Sequence, residues 1–214
     1  MPVHPEAGRG SGHTADPAGR PGPGATPAAA PTIGFHQVDE EEVFGGWLFR
    51  VTHAHLVDPD GNAFERDIVR HPGAVAVVPV DDDGTVTLVR QFRPALGRSV
   101  LEVPAGTCDV DGEPLEETAR RELAEEAGLD ASRFRRLAAV HNSPGFTDQL
   151  TTIFLATGLS PCPTDRSGVE EHFMSVETFD LVELPSLVED GTLVDETTVL
   201  GLWLARHALG PGTP

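Results

Sequence analysis

The 214-residue sequence predicts an α/β protein, and three features support this class. The run GAVAVVPV, from Gly73 to Val80, is short and continuously apolar, as expected of a buried strand. An amphipathic segment from Pro114 to Ala127 has helical spacing and lies between strand-like segments. The last part of the chain, from Glu196 to about Ala208, again has helical spacing. A hydrophobic content of 39% is sufficient for one core.

The N-terminal segment, residues 1–31, differs in composition from the rest of the chain. It consists mainly of Pro, Gly and Ala and cannot bury enough apolar surface to offset its chain entropy, so we expect it to be disordered. It lacks the apolar run of a signal peptide, and no later segment is apolar for long enough to span a bilayer. We therefore divide the chain into this tail, a strand region over 32–72 and a main domain over 73–210.

The strand region and the start of the main domain predict two hairpins. Val43–Val57 is rich in β-branched and aromatic residues, the turn sequence DPDGN follows, and Ala63–His71 resumes the extended pattern. The second hairpin runs from Gly73 to Phe92 around the turn DDDG, and we expect it to be the more buried one.

The remaining elements follow in alternation around the central helix. Short apolar or β-branched runs predict strands, and longer segments with helical spacing predict helices. The strands are expected at Ser99–Pro104, Phe134–Val140, Leu150–Gly158 and Phe173–Asp180, and the C-terminal helices at Leu184–Glu189 and Glu196–Ala208.

The charge balance narrows the range of partners. With 15 Lys and Arg against 34 Asp and Glu, the net charge is −19, which argues against nucleic acid or an anionic membrane as the main partner. An anionic substrate would need local positive charge or a metal. The two cysteines, Cys108 and Cys162, form neither a disulfide framework nor a zinc-type spacing, so the expected location is the reducing cytoplasm.

The central helix carries an unusual group of acids. Pro114 suits its first turn and Gly128 a left-handed C-terminal cap. On a helical projection, Leu115, Ala119, Leu123 and Ala127 form the apolar stripe. Glu122, Glu125 and Glu126 overlap the edge of that stripe, where carboxylates lose solvation unless a cation compensates them. Arg121 can pair at i,i+4 spacing with Glu117 and Glu125. A solvated Glu-rich helix is the alternative in a chain this acidic.

The whole segment resembles the Nudix box, G-x5-E-x7-R-E-U-x-E-E-x-G-U, in which U is a bulky aliphatic residue. Every specified residue type is present, and one extra residue lies between the first glycine and the first glutamate, in a loop before the helix. The matching residues are Gly106, Glu113, Arg121, Glu122, Leu123, Glu125, Glu126, Gly128 and Leu129.

The flanking motifs resemble the ADP-ribose pyrophosphatase branch of that family. They are VRQFR before the box and SPGF after it. The resemblance implies an α/β/α sandwich around a mixed β-sheet. It also implies a homodimer in which the N-terminal strands, roughly Val43–Arg70, reach over the partner and help to build the substrate site.

By the same resemblance, the metal ligands are Glu122, Glu126, Glu125 and the carbonyl oxygen of Ala105. Hard oxygen ligands suit Mg²⁺, with Mn²⁺ as a second possibility. Arg121 is expected to hold the carboxylates in place.

Substrate contacts are expected from Arg90 and Arg93 of VRQFR, which we predict to point the same way, and from Gly106. Forked guanidinium groups match phosphate oxygens. Arg66 is a weaker third candidate. Ion pairs with surface acids are the alternative for these arginines.

The general base is an open question, because Gln149 stands where many relatives of this branch have a glutamate after SPGF. A glutamine amide accepts no proton near neutral pH. The alternatives are Asp148, the loop acids Glu170 and Glu171, and Glu122 or Glu125 of the box. We favour a loop glutamate.

Three functions are consistent with the sequence. The first is a Mg²⁺-dependent pyrophosphatase acting on ADP-ribose or a related nucleotide sugar, the second is a pyrophosphatase acting on nucleoside triphosphates, and the third is a module that senses nucleotides without hydrolysis. The intact box disfavours the third, and VRQFR and SPGF favour the first. The nearby His53 and His55 have a ligand-like spacing, but residues two apart on a strand simply share a face, so the sequence assigns them no metal role.

Overall fold

The computed structural model describes residues 33–166 and 168–210, and the predicted tail lies outside them. The described chain starts with a three-stranded antiparallel sheet formed by β1 (His36–Gly45), β2 (Arg50–Val57) and β3 (Ala63–Arg70). The first predicted hairpin was therefore wrong in one respect, because its first arm is not a single strand. The segment 43–57 contains a turn, closed by a 2.9 Å hydrogen bond from the Gly46 N–H to the Phe49 carbonyl. The extra strand was missed because its acidic sequence, HQVDEEEVFG, carries no apolar alternation.

A four-stranded mixed sheet forms the centre of the molecule. It contains β4 (Ala74–Pro79), β7 (Ala105–Thr107), β8 (Leu129–His141) and β9 (Leu150–Pro161), in the order β7-β4-β9-β8. Strands β4 and β9 are parallel, whereas the other two pairs are antiparallel. The predicted mixed sheet is confirmed.

A second main-domain sheet is antiparallel and has the order β10-β5-β6. Its strands are β5 (Thr85–Arg93), β6 (Arg98–Glu102) and β10 (Ser175–Asp180). The predicted hairpin of β4 and β5 exists only at its tip, where Val80 bridges to Val86. Beyond that point the two strands diverge into different sheets, because each finds other partners along its length.

In the described part of the chain, three helices accompany these sheets. Helix α1 (Leu115–Glu122) continues into a π-helical turn, Leu123–Ala127, and ends at Gly128, whose φ of 68° is left-handed as predicted. Helices α2 (Leu184–Glu189) and α3 (Glu196–Leu209) match the predicted C-terminal helices within one residue. Two 3₁₀ turns, Glu171–Phe173 and Leu181–Glu183, complete the helical segments. Within the described ranges no helix is long and apolar enough to cross a membrane.

Alternate side chains of β4 pack on opposite faces of the mixed sheet, which produces the α/β/α sandwich. Val75 and Val77 belong to one buried cluster together with Ala119 and Leu123 of the α1 segment. On the other face, Ala76 and Val78 pack with Leu202 and other residues of α3. The predicted fold class is confirmed, although Leu115 is 38% exposed and does not extend the apolar stripe of α1 inward.

The segment between β6 and β7 is fixed from two sides. The Val103 N–H donates to the Thr198 hydroxyl at 3.0 Å, close to the N-terminus of α3, which Asp195 caps. The Pro104 carbonyl accepts from the Val77 N–H at 2.8 Å. These bonds hold Ala105 and the following residues of β7 in place beside α1.

Candidate active site

Two glutamates of the α1 segment meet the backbone of β7. The carboxylate of Glu126 accepts a hydrogen bond from the Ala105 N–H at 3.0 Å. The carboxyl group of Glu122 lies directly against Gly106, where a Cβ atom would come within 2.1 Å of Oε1. A Cβ atom at this position would therefore displace the Glu122 carboxyl group, which a glycine leaves in place. The π-helical turn that follows Glu122 is a local widening of the kind often found at functional sites.

Both carboxyl groups are buried without full compensation. Glu122 is only 9% exposed and Glu126 only 5% exposed. Burial raises the pKa of Glu122 to about 7, although the adjacent Arg121 opposes this change. Burial also raises the pKa of Glu126 to about 8, against the Ala105 hydrogen bond. A pair of buried carboxylates that resists ionisation is a strong indication that the site takes a cation.

Arg121 holds three glutamates of the box. Its guanidinium group contacts Glu122 at 2.7 Å, and Glu113 and Glu125 each at 3.3 Å. The predicted i,i+4 pair with Glu125 is present. The other predicted partner, Glu117, is exposed and is replaced by Glu113, which lies before the helix and reaches the same guanidinium group.

An acidic cleft of about 520 Å³ opens in front of this pair. Its acids come from the loop before α1, from the helix itself and from the loop before β10. They are Asp109, Glu122, Glu125, Glu126, Glu170 and Glu171. The cleft also contains Arg93, Arg121 and the backbone of Ala105 and Gly106, so most of the predicted site residues lie in one place.

The donor set of the cleft fits a hard divalent cation. Its acids offer carboxylate oxygens, which suit Mg²⁺ or Mn²⁺ better than softer metals. The high pKa of Glu126 is a second argument, because a metal ion would stabilise the ionised form that burial disfavours.

The two arginines of VRQFR point in opposite directions, so the prediction that they share a direction was wrong. A spacing of three residues places Arg90 and Arg93 on opposite faces of β5. Arg90 forms a two-pronged ion pair with Glu177 of β10, at 2.6 and 3.0 Å. Arg93 pairs with the buried Glu102 of β6 and lines the acidic cleft. Arg90 therefore forms an ion pair with an acid, which was the alternative to substrate contact.

A second pocket of about 350 Å³ adjoins the cleft and shares Arg93, Ala105 and Gly106 with it. Gln149 lines this pocket rather than the acidic cleft and donates a long hydrogen bond, 3.4 Å, to Thr151. Asp148 lies apart from both, where it accepts a hydrogen bond from the His71 N–H and pairs with Arg70.

The second pocket contains polar residues that the sequence did not single out. The Thr151 hydroxyl donates to Asn142 at 2.6 Å, and the Asn142 amide donates to the Thr197 hydroxyl at 2.8 Å. This chain joins β9, the loop after β8 and α3. The only sequence signal for it was the position of Asn142 directly before SPGF.

Of two further residues from the N-terminal region, Trp47 lines the cleft and Arg66 does not. Trp47 lines the cleft and is 95% exposed, so its side chain is not part of the core of this chain. Arg66 is exposed on β3, where its guanidinium group lies over the Phe64 ring.

The chain is similar to known proteins over most of its length. The family model described as the NUDIX domain matches residues 70–197. An ADP-ribose pyrophosphatase of Mycobacterium tuberculosis is 36% identical over 178 residues, which are 83% of this chain and 86% of that protein. One from Bacillus subtilis is 38% identical over 165 residues, or 77% of this chain and 89% of that protein. A solved structure described as ADP compounds hydrolase has the same fold, with a TM-score of 0.73, 24% identity, and coverage of 85% of this chain and 97% of that one.

Proposed function

The chain belongs to the Nudix family and is a hydrolase of pyrophosphate bonds, and from this premise we propose its cofactor and substrate. We propose a Mg²⁺-dependent enzyme that hydrolyses ADP-ribose, or a related nucleoside diphosphate sugar, to a nucleoside monophosphate and a sugar phosphate. The observation that carries this proposal is the buried, only partly compensated pair of Glu122 and Glu126, which lines an open acidic cleft.

Glu122, Glu126 and the carbonyl oxygen of Ala105 would hold the metal, with Glu125 as a further ligand. Bound Mg²⁺ supplies charge neutralisation of the diphosphate and a more acidic water. Arg121 holds Glu122 and Glu125 through its ion pairs at 2.7 and 3.3 Å, which limits the directions that their carboxylates can take. Arg93, at the border of the cleft and the second pocket, is the residue that we propose to contact a phosphate oxygen.

The two adjoining cavities support this substrate class. A diphosphate linking two bulky groups needs a metal site with space on both sides. The acidic cleft provides the first space, beside Trp47, whose exposed ring can stack on a base or sugar. The second pocket, lined by Asn142, Gln149 and Thr197, offers hydroxyl and amide groups for a ribose. The curated relatives named as ADP-ribose pyrophosphatases support this choice of substrate.

We propose that Glu170 or Glu171 is the general base. Both line the same cleft as the box glutamates, and besides burial the charge of Glu171 raises the pKa of Glu122 and Glu126. Gln149 cannot accept the proton and faces the other pocket. Asp148 is held by Arg70 and the His71 N–H, outside the cleft.

The base is tested by kinetics of a double variant. Glu170→Gln combined with Glu171→Gln is expected to lower kcat by about 100-fold or more, with little change in the Mg²⁺ concentration for half-maximal rate. Glu189→Gln, an exposed acid of α2, is the control. Normal turnover in the double variant, together with loss in Glu125→Gln, would instead place the base in the box.

We also propose a homodimer built on the N-terminal sheet. An exposed apolar group around the β1–β2 turn supports this proposal, and it consists of Val43, Phe44, Trp47 and Phe49. A partner at this surface could bring Arg66 toward the substrate. Sedimentation is expected to give twice the chain mass, and Phe44→Asp is expected to yield monomers.

The substrate is tested by a panel of nucleotides with Mg²⁺, analysed by phosphorus NMR. ADP-ribose is expected to give AMP and ribose phosphate with a kcat/KM at least about tenfold above that for nucleoside triphosphates. Release of inorganic pyrophosphate from a triphosphate at the higher kcat/KM would favour the nucleotide-pool function instead.

A further inference from the structure

One face of the N-terminal sheet carries two histidines with carboxylates from both neighbouring strands, and Glu41 and Asp39 of β1 are among them. His53 and His55 project from the same face of β2, two residues apart. Across the strand pairs, His53 is opposite Asp67 of β3, whereas His55 lies between Asp39 of β1 and Glu65 of β3. This group belongs to neither the acidic cleft nor the pocket beside it.

In both rings the same nitrogen, Nδ1, is bonded to a carboxylate. Nδ1 of His53 bonds to Asp67 at 2.8 Å, and Nδ1 of His55 bonds to Asp39 at 2.6 Å. In a neutral ring whose Nδ1–H donates to a carboxylate, Nε2 is the nitrogen that can bind an ion, and each Nε2 lies beside the Glu65 carboxylate. The distances from Nε2 to a Glu65 oxygen are 3.4 Å for His53 and 3.9 Å for His55.

We propose that His53, His55 and Glu65 form a metal site that takes Zn²⁺ or a similar borderline divalent ion. The three can present ligand atoms that all lie within 4.8 Å of one another, the only such group in the described residues. Ligands at about 2.0 to 2.2 Å from a tetrahedral zinc ion lie about 3.3 to 3.6 Å apart. The distances of 3.4 and 3.9 Å from Nε2 to the Glu65 oxygens are therefore close to those between ligands of a bound zinc ion.

The carboxylates behind the rings distinguish this arrangement from a chance cluster. A metal-binding histidine usually donates its other N–H to a carboxylate, which fixes the tautomer and increases ligand basicity. Here both histidines have such a partner, and the two partners come from different strands. Two imidazoles with one carboxylate match zinc chemistry, whereas the all-oxygen cleft matches magnesium. A bound ion would link β2 to β3 and stabilise the N-terminal sheet.

The test is a zinc titration of the full-length, untagged protein in excess Mg²⁺, which is expected to occupy the acidic cleft. Wild type is expected to bind one Zn²⁺ per chain at micromolar or lower concentration. Substituting both His53→Gln and His55→Gln should weaken binding at least about 100-fold, and Asp39→Asn combined with Asp67→Asn about 10-fold. His207→Gln, on the exposed end of α3, is the matched control and should bind as wild type.

Two further measurements test the site even if the double histidine variant does not fold. Histidine nitrogen NMR should show zinc-induced shifts at Nε2 of His53 and His55, and Glu65→Gln should weaken binding even if the double histidine variant folds poorly. Unchanged zinc affinity in both the double histidine variant and Glu65→Gln would overturn the proposal. So would zinc binding that disappears in Glu122→Gln combined with Glu126→Gln, because the ion would then occupy the cleft. Since the cleft and the sheet are tested separately, failure here leaves the proposed hydrolase function untouched.

Discussion

Substituting Glu126→Gln should make the metal-free protein more stable at pH 8. The Glu126 carboxyl is buried, and burial raises its pKa to about 8. A carboxyl whose folded pKa is raised contributes stability below its unfolded pKa, and that contribution is lost as the pH rises through the folded value. Between about pH 4.5 and pH 8 the metal-free wild type therefore loses stability at this residue. A glutamine keeps the acceptor for the Ala105 N–H but carries no charge.

The size of this effect follows from the pKa. A change from 4.5 to about 8 corresponds to about 5 kcal/mol, at about 1.4 kcal/mol for each factor of ten. Water entry around an ionised group reduces such penalties, so we expect the variant to gain about 2 kcal/mol at pH 8. For a chain of 214 residues, that gain raises the Tm by about 4 to 8 °C.

The assay is thermal unfolding of both proteins in a chelator from pH 5 to pH 8.5. The difference in Tm should be small at pH 5 and should grow toward pH 8. Added Mg²⁺ should reverse the order, because it stabilises the wild type far more than the variant. Glu117→Gln, exposed on the same helix, should change the free energy of unfolding by less than about 0.5 kcal/mol at every pH. A metal-free Glu126→Gln protein less stable than wild type at pH 8 would refute the reasoning.

Three other predictions concern Gly106, the arginines of VRQFR and the N-terminal tail. Gly106→Ala would bring a Cβ atom within 2.0 Å of the Glu122 carboxyl carbon, so kcat/KM should fall by about 100-fold while circular dichroism stays native; near-normal turnover would contradict the close contact. Arg93→Lys should raise KM about tenfold through loss of the forked contact, whereas Arg90→Lys, paired with Glu177 away from the cleft, should leave KM unchanged. A chain beginning at Thr32 should keep the Tm and turnover of the full-length protein, and a clear loss of either would show that the tail contributes to the domain.

The helix and most of its acids could be predicted because the information is local. Gly128 determines where the helix ends, and the spacing of Glu122 and Glu126 places them on one edge. The sequence could not give their contacts with Ala105 and Gly106, since these depend on the position of β7 beside the helix. One partner of Arg121, Glu113, was missed for a similar reason, whereas the predicted pair with Glu125 is present. Glu113 is eight residues away, and only the turn before α1 brings it close.

The β-structure was predicted less well wherever pairing is long-range. Val80 and Val86 close a tight turn as the sequence indicates, but the strands on either side pair elsewhere. Strand β1 was missed because all its residues are exposed and many are acidic. Such a sequence has neither the apolar alternation nor the β-branched content from which strands are predicted. The histidine group illustrates the same limit, since the spacing of His53 and His55 is visible in sequence while Glu65 on the next strand is not.

The central claim is that Glu122 and Glu126 hold the catalytic metal of a nucleoside diphosphate sugar pyrophosphatase. Its most direct test is the initial rate of ADP-ribose hydrolysis as a function of Mg²⁺ concentration, for wild type, Glu122→Gln, Glu126→Gln and the control Glu117→Gln. The account predicts that the control matches wild type and that both cleft variants lose at least about 100-fold in rate while remaining folded. Rates within twofold of wild type in both cleft variants, at every Mg²⁺ concentration, would contradict it.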